Sequence, residues 1–326
     1  MIRLKPLAIA LLMAASSASA QAQPAAAPYP DKPVRIIVSY AAGNITDVLA
    51  RTLSQRMAEE WKQGVIIENR PGQGGSLGAL QLLKQPADGY TLLFSAMAAL
   101  AINPHLYPGI GFDALKDFQP IIGVAYPHGL LYANAALPVS SVPELVALSR
   151  SRPGTLNYGS AGSGTVPHLN VEALKARTGL DATHVPYKGA VAVLSDVAGG
   201  SLHFAQESVG VVLPQVRAGR IKPLAALGPE RLEQLPEVPA IGEVLPGFEA
   251  VTPWLGLFAR TGTPRPVIER VERTVAALLK EPAVEGKIRG AGMGVLGLGP
   301  DAFAKRVETD YRRLGVLVRE LNLKAD

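Results

Sequence analysis

The pattern that most constrains this chain is a repeated pairing: a short, almost unbroken apolar run, then a stretch whose apolar residues return every four positions. Residues 34–40, Val-Arg-Ile-Ile-Val-Ser-Tyr, lack the polar alternation of a half-exposed strand and predict one covered on both faces. After a turn of small residues, Leu49, Leu53, Met57 and Trp61 fall on one face of a predicted helix. Thr46 is its expected N-cap, Asp47 suits the positive end of the helix dipole, and Gly64 is the expected stop. A strand at 65–68, a helix at 75–85 and a strand at 91–95 continue the alternation, which predicts an α/β unit with a parallel sheet.

A second series of the same kind begins at Ser141, where Pro143 and Glu144 open a helix through Arg150. Strands are predicted at 156–160, 182–187, 202–206 and 221–227, and helices at 167–177, 189–198 and 209–218. Residues 229–248, rich in Pro, Glu and Gly, read as a surface connection. The tail offers one strand, 254–259, and helices near 264–280, 282–289 and 300–321. A lone strand makes no third domain, so this segment is expected to return and complete the first lobe. With 326 residues, 48% of them hydrophobic and 18% charged, the chain suits two lobes better than one core.

Residues 1–20 stand apart. Arg3 and Lys5 precede an apolar run at 7–15, and Ala18-Ser19-Ala20 makes a small-x-small cleavage site. That order is an export signal, which in a bacterium leads to the periplasm. The run falls short of the roughly 20 apolar residues that span a bilayer, and no later stretch reaches that length, so the chain is not expected to be membrane-embedded. The formal charge of +5 includes the two leader cations, and the Lys and Arg residues form no cluster, so no nucleic-acid partner is expected.

The absence of cysteine excludes disulfides, thiol nucleophiles and thiolate metal sites. His105, His128, His168, His184 and His203 show neither an H-E-x-x-H string nor an i, i+4 pair, and no G-x-G-x-x-G or Walker A motif occurs, so neither a metal nor a cofactor is expected. Gly74-Gly75-Ser76-Leu77-Gly78 fits the G-x-S-x-G hydrolase elbow, but that motif needs its serine directly after a strand, and residues 69–73 intervene. A glycine-rich loop closing onto a helix is the simpler reading of Ser76.

Three turns have a shared form, small residues between a strand and a helix: 41–46, 160–165 and 187–190. Helix starts carry unpaired N–H groups and about half a positive charge, so such turns bind carboxylate or phosphate without Lys or Arg. Ligands of open α/β sheets lie beyond the carboxyl ends of the strands, where these turns fall. One such turn alone is an ordinary capped helix; two in opposite lobes point to a site.

The strings YPDKPVRIIVSYAAGNITD, IENRPGQGGSLGA, PADGYTLL, INPHLYP, LNYGSAGSGTVPHL and HVPYKG appear in that order. In them the chain resembles, from Tyr29 to its C-terminus, the Bug receptors, the TctC-type solute-binding proteins of tripartite tricarboxylate transporters. The resemblance implies an α/β, two-lobe periplasmic-binding-protein architecture (type II, Venus flytrap), with 29–127 and 252–326 in lobe 1 and 128–251 in lobe 2. Hinges are expected near 126–134 and 248–254. It further implies a monomeric, non-enzymatic periplasmic receptor without metal or cofactor, which closes around a small organic carboxylate and delivers it to transporter membrane subunits. A receptor feeding a signalling partner, and a secreted serine hydrolase using Ser76, are the alternatives.

Carried over by position, the resemblance implies a first ligand loop of Ala42, Gly43, Asn44, Ile45, Thr46 and Asp47, with Thr46 near one carboxylate. It implies an opposing loop of Ser160, Gly162, Ser163, Gly164 and Thr165, and cleft sides from Ser95, Ala96, Tyr187, Lys188 and Gly189. Trp254 falls near the family's aromatic in the returning strand, either covering the ligand or filling the core. Departures from the family pattern bear on ligand choice. Ala42 and Asn44-Ile45 replace a Pro-Gly-Gly-like loop, Val166-Pro167 replaces a small polar pair, and Glu207 stands after its strand where most relatives have Asp. Glu207 opposes a second carboxylate and suits an ammonium group, which leaves amino-acid-like and amide-bearing ligands open.

Overall fold

The computed structural model describes residues 29–228, 230–320 and 323; the predicted export signal at 1–20 lies outside them. The first series folds as β1 (Val34–Val38), α1 (Ile45–Trp61), β2 (Val65–Asn69), α2 (Ser76–Leu83), β3 (Thr91–Ala96), α3 (Asn103–Leu106) and β4 (Phe118–Pro127). The second runs β5 (Gly129–Asn134), α4 (Val142–Ser151), β6 (Asn157–Ser160), α5 (Val166–Thr178), β7 (Thr183–Pro186), α6 (Ala190–Gly199), β8 (Phe204–Ser208), α7 (Val209–Arg217), β9 (Ile221–Leu227) and α8 (Ile241–Val244). The tail adds β10 (Leu255–Arg260), α9 (Arg265–Leu278), α10 (Pro282–Gly290), β11 (Met293–Leu298) and α11 (Pro300–Glu320).

Two sheets result, the basis of two lobes. The first has the order β11-β4-β10-β3-β1-β2, the second β7-β6-β8-β5-β9. Both are mixed rather than parallel as expected. β1 runs parallel to β2 and β3, but β10 is antiparallel to both β3 and β4, and β11 is antiparallel to β4. In the second sheet β6 is parallel to β7 and β8, while β5 is antiparallel to β8 and β9. The returning tail thus completes the first sheet, with β10 inside it.

β4, β5 and β11 were not predicted. Pro120, Gly123 and Pro127 interrupt the pattern of β4, and the structure accommodates Pro120 by a register shift against β10 between Leu257 and Phe258. The chain passes from β4 to β5, and so from one sheet to the other, through His128 alone.

Local chemistry explains the other boundary differences. Asn44, not Thr46, caps α1: its backbone is extended and its side chain accepts from the Thr46 N–H at 2.9 Å. The same helix stops at Trp61 because Lys62 turns left-handed at φ 56°, before Gly64 is reached. The four-residue period itself holds, with Leu49, Leu53, Met57 and Trp61 all in the core beside β1 and β3.

Trp254 is completely buried, its Nε1 donating to Asp310 Oδ2 at 2.9 Å and its ring edge-on to Phe303. Phe303 in turn occupies a hollow over Gly123 and Gly256, where a Cβ on Gly256 would lie 2.4 Å from its ring. This packing seats α11 on the sheet. Gly256→Ala is therefore expected to destabilise the protein by about 1–3 kcal/mol, the cost of overfilling a packed core, seen as a lower urea midpoint at unchanged slope.

Candidate ligand-binding site

A cavity of about 470 Å³ opens between the lobes, well within the range of small-molecule sites. Strand ends, helix starts and crossing segments form it: Gly129 of β5, Gln206 and Glu207 of β8, the first turns of α5 and α7, and Ala291 after α10. Val166, Val211, Leu227, Val251 and Met293 give it apolar walls. His128, Asn170, Gln206, Glu207 and Ser208 supply polar groups, and among the described residues no Lys or Arg lines it.

The loop 160–165 leads into α5, whose Val166 and Pro167 reach the cavity. Its backbone is held from beneath by two histidines stacked with ring centroids 3.9 Å apart. His184 Nε2 pairs with Ser160 Oγ at 2.7 Å, and His168 Nδ1 accepts from the Gly164 N–H at 3.1 Å. Thr165 turns its hydroxyl inward to the Gly162 carbonyl, at 2.8 Å. Gly162 sits at φ 134°, a conformation that favours glycine. Gly164 packs so closely on Leu106 of the other lobe that a Cβ would lie 2.8 Å from that side chain.

The first loop differs in kind. Of its residues only Ile45 lines the cavity, while Thr46 and Asp47 are buried. Two of its N–H groups already have acceptors within the chain: Gly43 donates to Asp47 Oδ2 and Thr46 to Asn44 Oδ1, both at 2.9 Å. Burial pushes the Asp47 carboxyl up, but hydrogen bonds from Arg51, Gly43 and Asn69 outweigh it and hold the group below its ordinary value.

β8 extends to Ser208, so Glu207 lies inside the strand rather than after it. Its side chain shares a sheet face with Leu130 and Tyr132 of β5, and Glu207 Oε1 accepts from the Ser208 N–H at 2.7 Å. Burial pushes the Glu207 carboxyl up from its ordinary value, against the opposing hydrogen bonds of Ser208. Burial likewise lowers the His128 imidazole, helped by the positive charge of Arg289.

Other predicted positions fall elsewhere. Ser95 is fully buried, and neither it nor Ala96 lines the cavity. Tyr187 donates to Asp196 at 2.5 Å, Lys188 is exposed, and Gly189 precedes α6; none lines the cavity. Trp254 belongs to the core described above. Ser76 is fully buried and accepts from Asn103 Nδ2 at 2.9 Å, which leaves it inaccessible as a nucleophile.

Sequence reading missed His128, Asn170, Gln206 and Val251. Asn170 carried a signal: a polar residue on the buried face of α5, it brackets Val251, accepting from its N–H at 2.7 Å and donating to its carbonyl at 3.1 Å. That pair clips the crossing segment to α5. Beside the His128 crossing, Gly210 and Gly292 let the backbones of the two lobes touch; a Cβ on Gly210 would lie 2.5 Å from the Ala291 carbonyl.

With this geometry in hand, comparison with known proteins gives the class. Residues 49–323 match the model of the tripartite tricarboxylate transporter family receptor, TctC. The chain belongs to this family of non-enzymatic solute-binding receptors. It is 32% identical over 298 residues to protein BugT of Bordetella pertussis, covering 91% of each chain. Among solved structures it is similar to Rpa4515 of R. palustris with adipate, at 34% identity and TM-score 0.77, covering 91% of this chain and 99% of that one. It is also similar to MatC (Rpa3494) from Rhodopseudomonas palustris with bound malate, at 28% identity and TM-score 0.72, covering 89% and 100%. Among the described residues no helix is long and apolar enough to cross a membrane.

Two outcomes follow from this geometry. Gly210→Ala is expected to wedge the lobes apart, since both clashing atoms belong to backbone, and small-angle scattering should show a larger radius of gyration with unfolding stability nearly unchanged. For Glu207, a carboxyl whose folded pKa is raised contributes most below its ordinary value and loses that contribution as pH rises through the folded value. Glu207→Gln is therefore expected to melt at a higher temperature than wild type at pH 8, with the difference vanishing near about pH 4, the ordinary glutamate range.

Proposed function

We propose that this protein is a periplasmic receptor that captures a small organic carboxylate between its two lobes and delivers it to the membrane subunits of a tripartite tricarboxylate transporter. The observation that carries this reading is the inter-lobe cavity, lined by the first turn of α5 and free of Lys and Arg. A carboxylate there is recognised by the N–H groups of a helix start and by Ser163, which the family resemblance assigns to the ligand and which stands in the partly exposed loop just before α5, outside the cavity lining. The adipate and malate of the two relatives are small carboxylates of the size this cavity admits. The leader at 1–20 supplies the export route.

In this reading lobe 1 comprises 29–127 with 252–326, lobe 2 comprises 128–251, and the hinges are His128 and the segment 248–254. Both lobes contact ligand only when closed, so ligand shifts the population toward the closed form. Ile45, where the family pattern has a small residue, narrows the first lobe's contribution to an apolar surface.

A thermal-shift series over mono-, di- and tricarboxylates tests the proposal. A true ligand at a hundredfold excess over its Kd adds about 2.7 kcal/mol of stability, and Ser163→Ala is expected to weaken that ligand by about 1.5 kcal/mol, the worth of one hydrogen bond to a charged group. A flat response to every carboxylate overturns the reading.

A further inference from the structure

We propose that Glu207 makes this cleft select a carboxylate whose far end carries a hydrogen-bond donor, an ammonium or a primary amide, over a dicarboxylate of the same length. The inference rests on the receptor reading above and names its ligand class.

The argument begins with charge. Among the described residues lining the cavity, Glu207 alone carries a carboxylate, and no Lys or Arg is among them. The other ionisable side chain of the wall is His128; burial and the charge of Arg289 hold its imidazole below its ordinary value, disfavouring the cationic form. On the same sheet face Tyr132 is fully buried and its hydroxyl has no hydrogen-bond partner. The bonds from Ser208 leave part of the acceptor capacity of the carboxylate unused.

Desolvation on lobe closure makes this state costly unless the ligand completes it. An acidic group in an apolar wall is stabilised by a donor and destabilised by a second anion. On the lobe 1 side the loop N–H groups at Gly43, Asn44 and Thr46 are taken by Asp47, Ala41 and Asn44. One ligand carboxylate therefore has a place, on the α5 side, and a second meets Glu207. The apolar walls between suit a methylene or aromatic body joining the two polar ends.

Isothermal titration calorimetry with matched probes separates the possibilities. Succinate, glutarate and adipate are each compared with their monoamides and with ω-amino acids bearing the same number of methylenes, on wild type and Glu207→Gln. At the chain length that binds, the amide or ammonium member is expected to bind wild type at least tenfold tighter than the diacid, and Glu207→Gln is expected to erase that preference. A diacid that binds wild type as tightly as its partners overturns the inference while leaving the carboxylate-receptor reading intact, and this arm needs no variant to fold. A preference that survives Glu207→Gln overturns the assignment to this residue. Failure of every probe in both classes overturns the receptor reading and this inference with it.

Discussion

β10 enters the first sheet between β3 and β4, antiparallel to both, and this pairing governs where the site can form. β4 leaves for the second sheet through His128, and the segment 248–254 returns from that sheet into β10. Because β4 and β10 are hydrogen-bonded neighbours, the two crossings run side by side along one edge of the cavity. Asn170 fastens the second crossing to α5 by gripping Val251 on both its backbone groups. The lobes also touch beside the His128 crossing, where Gly210 and Gly292 bring the backbones together and the His128 N–H donates to the Gly292 carbonyl at 3.2 Å, and at an ion pair between Arg289 and Glu233 at 2.8 Å. Exposed pairs of that kind contribute little, and these backbone approaches lie where the chain crosses, as a hinge requires.

Electrostatics in the cleft follow from backbone rather than from cationic side chains. Helix starts of α1, α5 and α7 converge from both lobes, but two of them already have a carboxylate of the chain's own close by. Asp47 receives the Gly43 N–H ahead of α1, and Glu207 receives the Ser208 N–H ahead of α7. The start of α5 has no acidic residue in its first turn. The stacked His168 and His184 brace its loop by accepting from or pairing with Gly164 and Ser160. Helix-start N–H groups and a buried carboxylate thus sit in the same small volume, on different elements.

Much of the fold was legible because helix and strand periods are local. The face of α1 through Leu49, Leu53, Met57 and Trp61, the α/β alternation in both halves and the return of the tail all follow from residue spacing. β4, β5 and β11 were illegible because proline and glycine disrupt their pattern, and only pairing with neighbours in the sheet rescues them. Of the cavity wall, Ile45, Val166, Pro167 and Glu207 stood out in the sequence, whereas Ser160, Gly162, Ser163, Gly164 and Thr165 of the opposing loop do not line it. Ser95, Tyr187 and Trp254 resembled cleft residues by position, yet they lie outside the cavity wall, Ser95 and Trp254 within the core of the first lobe.

The sequence by itself determined the two α/β series, the absence of thiol chemistry, and the small-residue turns at the helix starts, since each is read from residue identity or from neighbours within a few positions. Only the tertiary structure decided which of those turns is open to a ligand. Asn44, Asp47 and Glu207 take up nearby N–H groups within a few positions of themselves, but which helix start faces the cavity depends on what the opposite lobe brings against it, as where Ile45 and Val166 line one cavity although the chain separates them by more than a hundred positions.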